Sequence, residues 1–348
     1  MIPVARSTAS ALLLAATTVS AGEPVMPGTR LDWTSSEAVG LGPLILRPQS
    51  PLSILRYAPI PLAPATTERG TWNVGTVWNW DNYFAVDAGG RFVIDAESFG
   101  ITVGASYGLT ERVDVNVSLP VSYRGGGVLD AFVENFEETF GVANEVRTEH
   151  PRGRYMVRLV GEDGTVFERT GDDSGWGVED LTLGLRYQLT QGSGTRPAVL
   201  VFTGFKLPFG REASLRSSGG TDIALGVAAG QRLGRFHLYG SLTGIHFTTT
   251  EIAGIELTQH QWSLFTGVEF RASSRTSWLL QSNVTSPAAR RFGDFAKRTY
   301  EVALGFKRLV GTNLMFEASV LENLFVFENS PDVGFHVGLV WRPDRRGP

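Results

Sequence analysis

From Thr71 onward, apolar and polar residues alternate with a period of two. In 71–81, Trp72, Val74, Thr76, Trp78 and Trp80 share one face, and Asn73, Gly75, Val77, Asn79 and Asp81 share the other. In 98–107, Phe99, Ile101, Val103, Ala105 and Tyr107 oppose Ser98, Gly100, Thr102, Gly104 and Ser106. In 112–121, Val113, Val115, Val117, Leu119 and Val121 oppose Arg112, Asp114, Asn116 and Ser118. Such a pattern predicts strands with one dry and one wet face. It recurs around Leu181–Leu189, Ile223–Leu233, Trp262–Phe270, Tyr300–Phe306 and Val333–Trp341. Segments 197–207, 235–247, 275–285 and 312–322 read as strands with less clean alternation.

About twelve strands result, most near the ~9–11 residues that cross a bilayer at a tilt. The links after even-numbered strands are short: Gly108–Glu111, Gln191–Arg196, Gly234, Arg271–Arg275 and Val310–Gly311. Those after odd-numbered strands are mostly longer, at roughly 124–178, 208–220, 248–257, 286–297 and 323–331. Short turns at one end and long loops at the other are a property of outer-membrane barrels. Trp72, Tyr107, Trp262, Phe270, Trp278, Tyr300, Phe306, Phe335 and Trp341 fall near strand ends on the apolar face, where interfacial girdles need amphipathic rings. The fold expected is all-β: a transmembrane antiparallel up-and-down barrel of about twelve strands, spanning 71–342. The competing architecture is a soluble secreted β protein with the same rings in its core.

The long link 124–178 opens on Gly125-Gly126-Gly127. Leu129, Phe132, Val133, Phe136 and Phe140 then recur at helical spacing opposite Asp130, Glu134, Glu137 and Glu138, with Gly141 as the stop. Residues 155–169 read as a hairpin around Asp163-Gly164. The extracellular loop so formed is either a lid over the pore mouth or a cap that packs its own apolar face, and the cap is favoured because long ordered loops need a core of their own.

Before Thr71 the texture differs. Residues 22–70 are rich in proline, which blocks ladder pairing, so they form an arm, periplasmic or lumenal, rather than a wall strand. Residues 1–21 read as a signal peptide: Arg6, an apolar stretch over 9–19, and Val19-Ser20-Ala21 as a small-x-small cleavage site ending at Ala21. A C-terminal tail, 343–348, follows the last strand. The expected location is the outer membrane of a Gram-negative-type cell.

Composition narrows the chemistry. A net charge of −4 gives no electrostatic case for nucleic acid. The absence of cysteine excludes disulfides and thiolate metal sites. Mean hydropathy is close to zero, as expected when alternation averages away a membrane face. Neither a phosphate loop nor a zincin motif occurs, so no cofactor or metal is expected.

Gly42-Pro43-Leu44, Arg47-Pro48-Gln49-Ser50-Pro51-Leu52, Asp95-Ala96-Glu97, Tyr107-Gly108-Leu109-Thr110-Glu111-Arg112, the Gly125–Gly127 opening with Leu129-Asp130, and Asp332 with His336 resemble an outer-membrane β-barrel family catalogued as domain of unknown function 3187. The resemblance spans the mature chain. It implies barrel and outer membrane, and no activity. Many outer-membrane barrels end on an aromatic residue, whereas here Arg342 to Pro348 follow Trp341.

Two constellations carry candidate chemistry. Inside the barrel, His336 is expected opposite Ser319, with Glu317 and Glu301 nearby and Asn79 and Asp81 brought alongside by closure. The possible lumen or ligand contacts are Asn79, Asp81, Arg112, Asp114, Arg186, Glu301, Glu317, Ser319 and His336. Further inward charges are Asp222, Arg232, Glu269 and Lys307. A hydrogen-bonded lumen network is the simplest reading, ahead of ligand contact and of Ser–His–carboxylate catalysis. Outside, near the rim, His246 is expected to face His260, and His260 to face Ser286. A barrel phospholipase is similar in carrying Ser and His on its lipid-facing wall, but the alternation of 235–247 leaves its face ambiguous and no Asn is placed here to orient the histidine. The expected function is a narrow channel for small solutes or a structural barrel, not an enzyme. The alternatives are a membrane-embedded hydrolase and a soluble secreted protein. Expected partners are outer-membrane lipid, the barrel-assembly machinery and a small solute.

Overall fold

A computed structural model describes residues 39–140, 151–193 and 196–342. The signal segment with Ala21, the start of the arm, Gly141, His150 and the tail 343–348 lie outside the described residues. In chain order the strands are β1 (Trp72–Val86), β2 (Phe92–Gly108), β3 (Val113–Gly125), β4 (Met156–Val160), β5 (Val166–Thr170), β6 (Gly175–Val178), β7 (Leu181–Ser193), β8 (Arg196–Leu207), β9 (Asp222–Leu233), β10 (Phe236–Phe247), β11 (Glu251–Ile252), β12 (Ile255–Glu256), β13 (His260–Arg271), β14 (Thr276–Thr285), β15 (Thr299–Val310), β16 (Leu314–Asn323) and β17 (Val333–Trp341).

The wall runs β1-β2-β3-β7-β8-β9-β10-β13-β14-β15-β16-β17, every neighbouring pair antiparallel. It closes by pairing β17 with β1, from Val74 opposite Trp341 to Asn82 opposite Val333. Twelve strands thus form a closed barrel with no free edge, the condition for a sheet to sit in lipid.

The faces are those of a membrane barrel. Outward-pointing Leu225, Val103, Leu242, Leu280 and Trp278 are more than half exposed. Inward-pointing Asp114, Asp222, Glu269 and Glu317 are completely buried. A soluble protein buries its leucines and exposes its carboxylates. The inversion disposes of a second sheet or a helical layer over the apolar rows. Trp72 with Tyr107, Phe236 with Phe270 and Trp278 with Phe306 form ring pairs near the short-turn end, at centroid distances of 4.6, 5.2 and 5.6 Å. Trp176, against Phe99 and Tyr123, marks the opposite end.

Two strands are longer than alternation suggests. β1 and β2 continue to Val86 and from Phe92, so the link between them is only 87–91. Alternation fails over 82–97 because both faces of this extension are covered. Its inward Tyr83, Phe92 and Ile94 pack with Leu52, Ile54 and Leu55 of the arm and with Leu159, Ile255, Leu257, Phe292 and Phe295 of the loops. This apolar cap sits over the long-loop mouth.

In the long link, α1 (Leu129–Phe140) and the β4–β5 hairpin form where the pattern predicts them. The Leu129 N–H at the start of α1 donates to Glu97 Oε1 at 2.5 Å, a carboxylate placed where the helix dipole favours negative charge. Asp130 accepts from Asn82 Nδ2 at 3.0 Å and from the Gly153 N–H at 2.7 Å. Asn82 and Glu97 lie on the same sheet face as Trp80 and Phe99, the lipid-facing one. Helix α1 therefore docks on the outward face of β1 and β2 rather than across the barrel mouth. Gly127 is required here, since a Cβ on it would come within 1.8 Å of the Glu97 carboxylate.

Candidate functional site in the lumen

The described part of the arm threads the barrel. It rises from the short-turn end at Gly40 along β13–β16, turns over 50–56 beneath the cap, and descends along β9, β8, β7 and β3 to Gly70. There the Gly70 N–H donates to the Gly108 carbonyl at 2.8 Å and β1 begins. The prolines explain its form: without an N–H they cannot join a ladder, so both limbs are extended and unpaired. The remaining N–H groups still need acceptors in a closed interior, and inward side chains of the wall supply them. The N–H of Leu41 donates to Glu269 (3.0 Å), Leu44 to Gln281 (3.0 Å), Ile45 to Glu317 (2.8 Å) and Gln49 to Glu301 (2.9 Å). On the descending limb Tyr57 donates to Asp222 (2.8 Å), Thr66 to Gln188 (3.0 Å) and Thr67 to Asp114 (2.5 Å).

Cations hold these carboxylates from behind. Lys307 Nζ lies 2.8 Å from Glu317 and donates to the Pro43 carbonyl of the arm at 2.5 Å. Arg186 makes a two-pronged contact with Asp114, both bonds 2.6 Å. Lys206 lies 2.5 Å from Asp180 and 3.5 Å from Asp222. Arg47 of the arm pairs with Glu179, which Arg124 also reaches at 3.1 Å. Arg56 donates to the carbonyls of Thr258 and Ala288 and stacks 3.2 Å over the Phe247 ring. Taking such charges from water is costly unless each is paired and hydrogen-bonded.

The apolar residues of the arm explain the blurred strands. Leu44 and Leu46 pack on Leu279, Ala303 and Leu321, and Leu62 packs on Leu200, Phe202 and Ala228. Tyr57 meets Ile245 and Phe247. The four segments with poor alternation each point apolar residues inward because the arm lies on them. That irregularity was the sequence signal for an occupied lumen. Gly204 makes room in the same way: a Cβ there would lie 2.1 Å from the Tyr57 hydroxyl.

The arm leaves one strip of the wall bare. A cavity of about 220 Å³ runs between the arm and β1, β2, β3, β7 and β8. Its wall side carries Thr102, Ser106, Asn116, Ser118 and Thr182 with the charged Asp180, Arg186 and Lys206; its arm side carries Ile45, Ile54, Ala58, Ile60 and Leu62 with Arg47 and Arg56.

Of the residues singled out from sequence, His336 lies opposite both Ser319 and Asn79 as expected. Its Nε2 is 2.8 Å from Glu317 Oε1. Asn79 Nδ2 donates to Asp81, and Ser330 Oγ donates to Glu301 at 3.1 Å. All six, Asn79, Asp81, Glu301, Glu317, Ser319 and His336, are buried, as is Asp114. Arg186 lines the cavity. Arg112 does not belong to this group: β3 begins at Val113, so Arg112 is exposed in the short turn. Arg232 is likewise exposed near its turn. Outside, His246 faces His260. Ser286, however, lies opposite Trp262, where the two exchange hydrogen bonds of 3.0 Å. The β13–β14 turn sits one residue later than expected, with Arg271 opposite Ser277, which moves Ser286 two residues from His260.

The fold is similar to that of an outer membrane channel from Pseudomonas putida F1, with a TM-score of 0.55 at 11% identity over 80% of this chain and 97% of that one. The NanC porin superposes with a TM-score of 0.44 at 8% identity over 78% of this chain and 98% of that one. No curated protein sequence matches the chain. The family described as "Protein of unknown function (DUF3187)" matches residues 28–342, and the chain belongs to that family.

Proposed function

We propose that this protein is a narrow outer-membrane channel whose N-terminal arm is a built-in constriction. Solute passes along the bare strip of β1, β2, β3 and β7. The observation that carries the reading is the cavity beside the arm, with small polar side chains along the wall and apolar residues plus Arg47 and Arg56 on the arm. Twelve-stranded barrels lie between filled eight-stranded and open sixteen-stranded ones, and an arm threaded through that lumen leaves room for small solutes only. Arg47, Arg186 and Lys206 along the strip are each paired with a wall carboxylate and Arg56 is held by carbonyls, so small uncharged solutes are favoured over cations. Export through a signal peptide cleaved after Ala21, insertion by the barrel-assembly machinery and contact with outer-membrane lipid complete the proposal.

Planar-bilayer recording of the purified full chain tests it. Small, steady conductance is expected. It should fall in Ser118→Trp and Thr182→Trp, which fill the strip, and rise when residues 39–66 are deleted. Silence from both the full chain and the arm-deleted chain sinks the proposal. A non-enzymatic role is part of the same reading: Ser319 and His336 are buried and His336 engages Glu317, while Ser286 is out of register with His260.

A further inference from the structure

His246 and His260 form an outward-facing pair at the long-loop rim that the channel reading does not use. They are directly opposed across β10 and β13. Their Nδ1 atoms are 3.4 Å apart and their ring centroids 4.9 Å apart. That separation is long for an N–H···N hydrogen bond, which favours about 2.7–3.2 Å. It matches a chelate: two imidazole nitrogens, each ~2.0–2.1 Å from one tetrahedral Zn²⁺, lie roughly 3.3–3.4 Å apart. Both side chains reach the surface, so a metal ion can enter from outside.

We propose that His246 and His260 together bind one borderline divalent metal ion such as Zn²⁺ through their Nδ1 atoms. Imidazole suits Zn²⁺, Cu²⁺ and Ni²⁺ and not Mg²⁺ or Ca²⁺, which take oxygen ligands. Each ring binds as the neutral tautomer with its proton on Nε2, pointing away from the metal. Two protein ligands leave the remaining positions to water, so the site is open rather than closed. The bound ion would tie β10 to β13 where they enter the loop 248–259. The site arises from strand pairing: the two histidines are 14 residues apart and meet across neighbouring strands.

Calorimetric titration of the untagged, folded, full-length protein in detergent with Zn²⁺ tests the proposal, beside His246→Ala, His260→Ala and the double variant. Heat-modifiable gel mobility checks that each variant is folded. The expected result is one equivalent bound by the wild type, with affinity reduced about a hundredfold in either single variant, since losing one arm of a chelate removes the intramolecular advantage. Mg²⁺ should bind no more tightly to the wild type than to the variants. Cu²⁺ on the wild type should show coupling to two nitrogens in its electron paramagnetic resonance spectrum, reduced in the single variants. No Zn²⁺ uptake by the wild type, or uptake that survives in the double variant, overturns the assignment. Both results are independent of whether the barrel conducts.

Discussion

The Glu317 carboxylate accepts a 2.8 Å hydrogen bond from the Ile45 backbone N–H, joining wall and arm across 272 positions of sequence. The same oxygen takes the bond from His336, and the carboxylate faces Lys307. Replacing Glu317 with Ala leaves a buried lysine unpaired and an arm N–H without its acceptor. Breaking a buried pair in this way costs roughly 3–5 kcal/mol. The temperature at which the folded band converts on a gel should drop clearly in Glu317→Ala and less in Glu317→Gln, which keeps an acceptor. Equal transitions for wild type and Glu317→Ala would show that this contact holds nothing.

The arm's entry is tightly packed at Gly40, where an added Cβ would lie 2.3 Å from Glu269 Oε2. That carboxylate cannot easily move, because Leu41, Tyr239 and Ser277 all donate to it. Gly40→Val should destabilise the barrel by about 1–3 kcal/mol, as overpacking does. Gly240→Ala is the control: its Cβ meets nothing nearer than 3.7 Å. Similar unfolding midpoints for the two variants would contradict the arm's placement.

Leu242 is outward-facing and 52% exposed near the middle of β10. If lipid covers it, Leu242→Arg should cost about 2–4 kcal/mol, the depth-dependent penalty at a bilayer midplane. Reversible folding into lipid vesicles measures it. A cost near zero would mean that water, not lipid, wets this face.

Ester and phospholipid hydrolysis offers a separate check on the non-enzymatic reading. Wild type, Ser286→Ala and Ser319→Ala should all be indistinguishable from empty micelles. Turnover by the wild type that disappears in either variant would restore the hydrolase.

The wall was legible because its signal is local. Successive strand residues point to opposite faces, so Val113, Val115 and Val117 against Asp114 and Asn116 announce a half-dry strand without reference to any partner. Turn lengths then constrained the register, and the pairing of Ser319 with His336 followed. The register of Ser286 did not, because it depended on where along the chain the β13–β14 turn begins, and a shift of one residue moves the pairing by two. The ends of β1 and β2 were missed where the cap covers both faces and period two disappears.

By itself, then, the sequence determined the strands, their approximate number, the segregation of long and short links and which side of the cleanly alternating strands faces lipid, since all of these are written in period-two order along a contiguous stretch. Only the tertiary structure decided where the arm lies. Its N–H groups are taken by Glu269, Gln281, Glu317 and Glu301, more than two hundred residues away. Those acceptors form one line only once β13, β14, β15 and β16 have paired side by side and the arm has folded back against them.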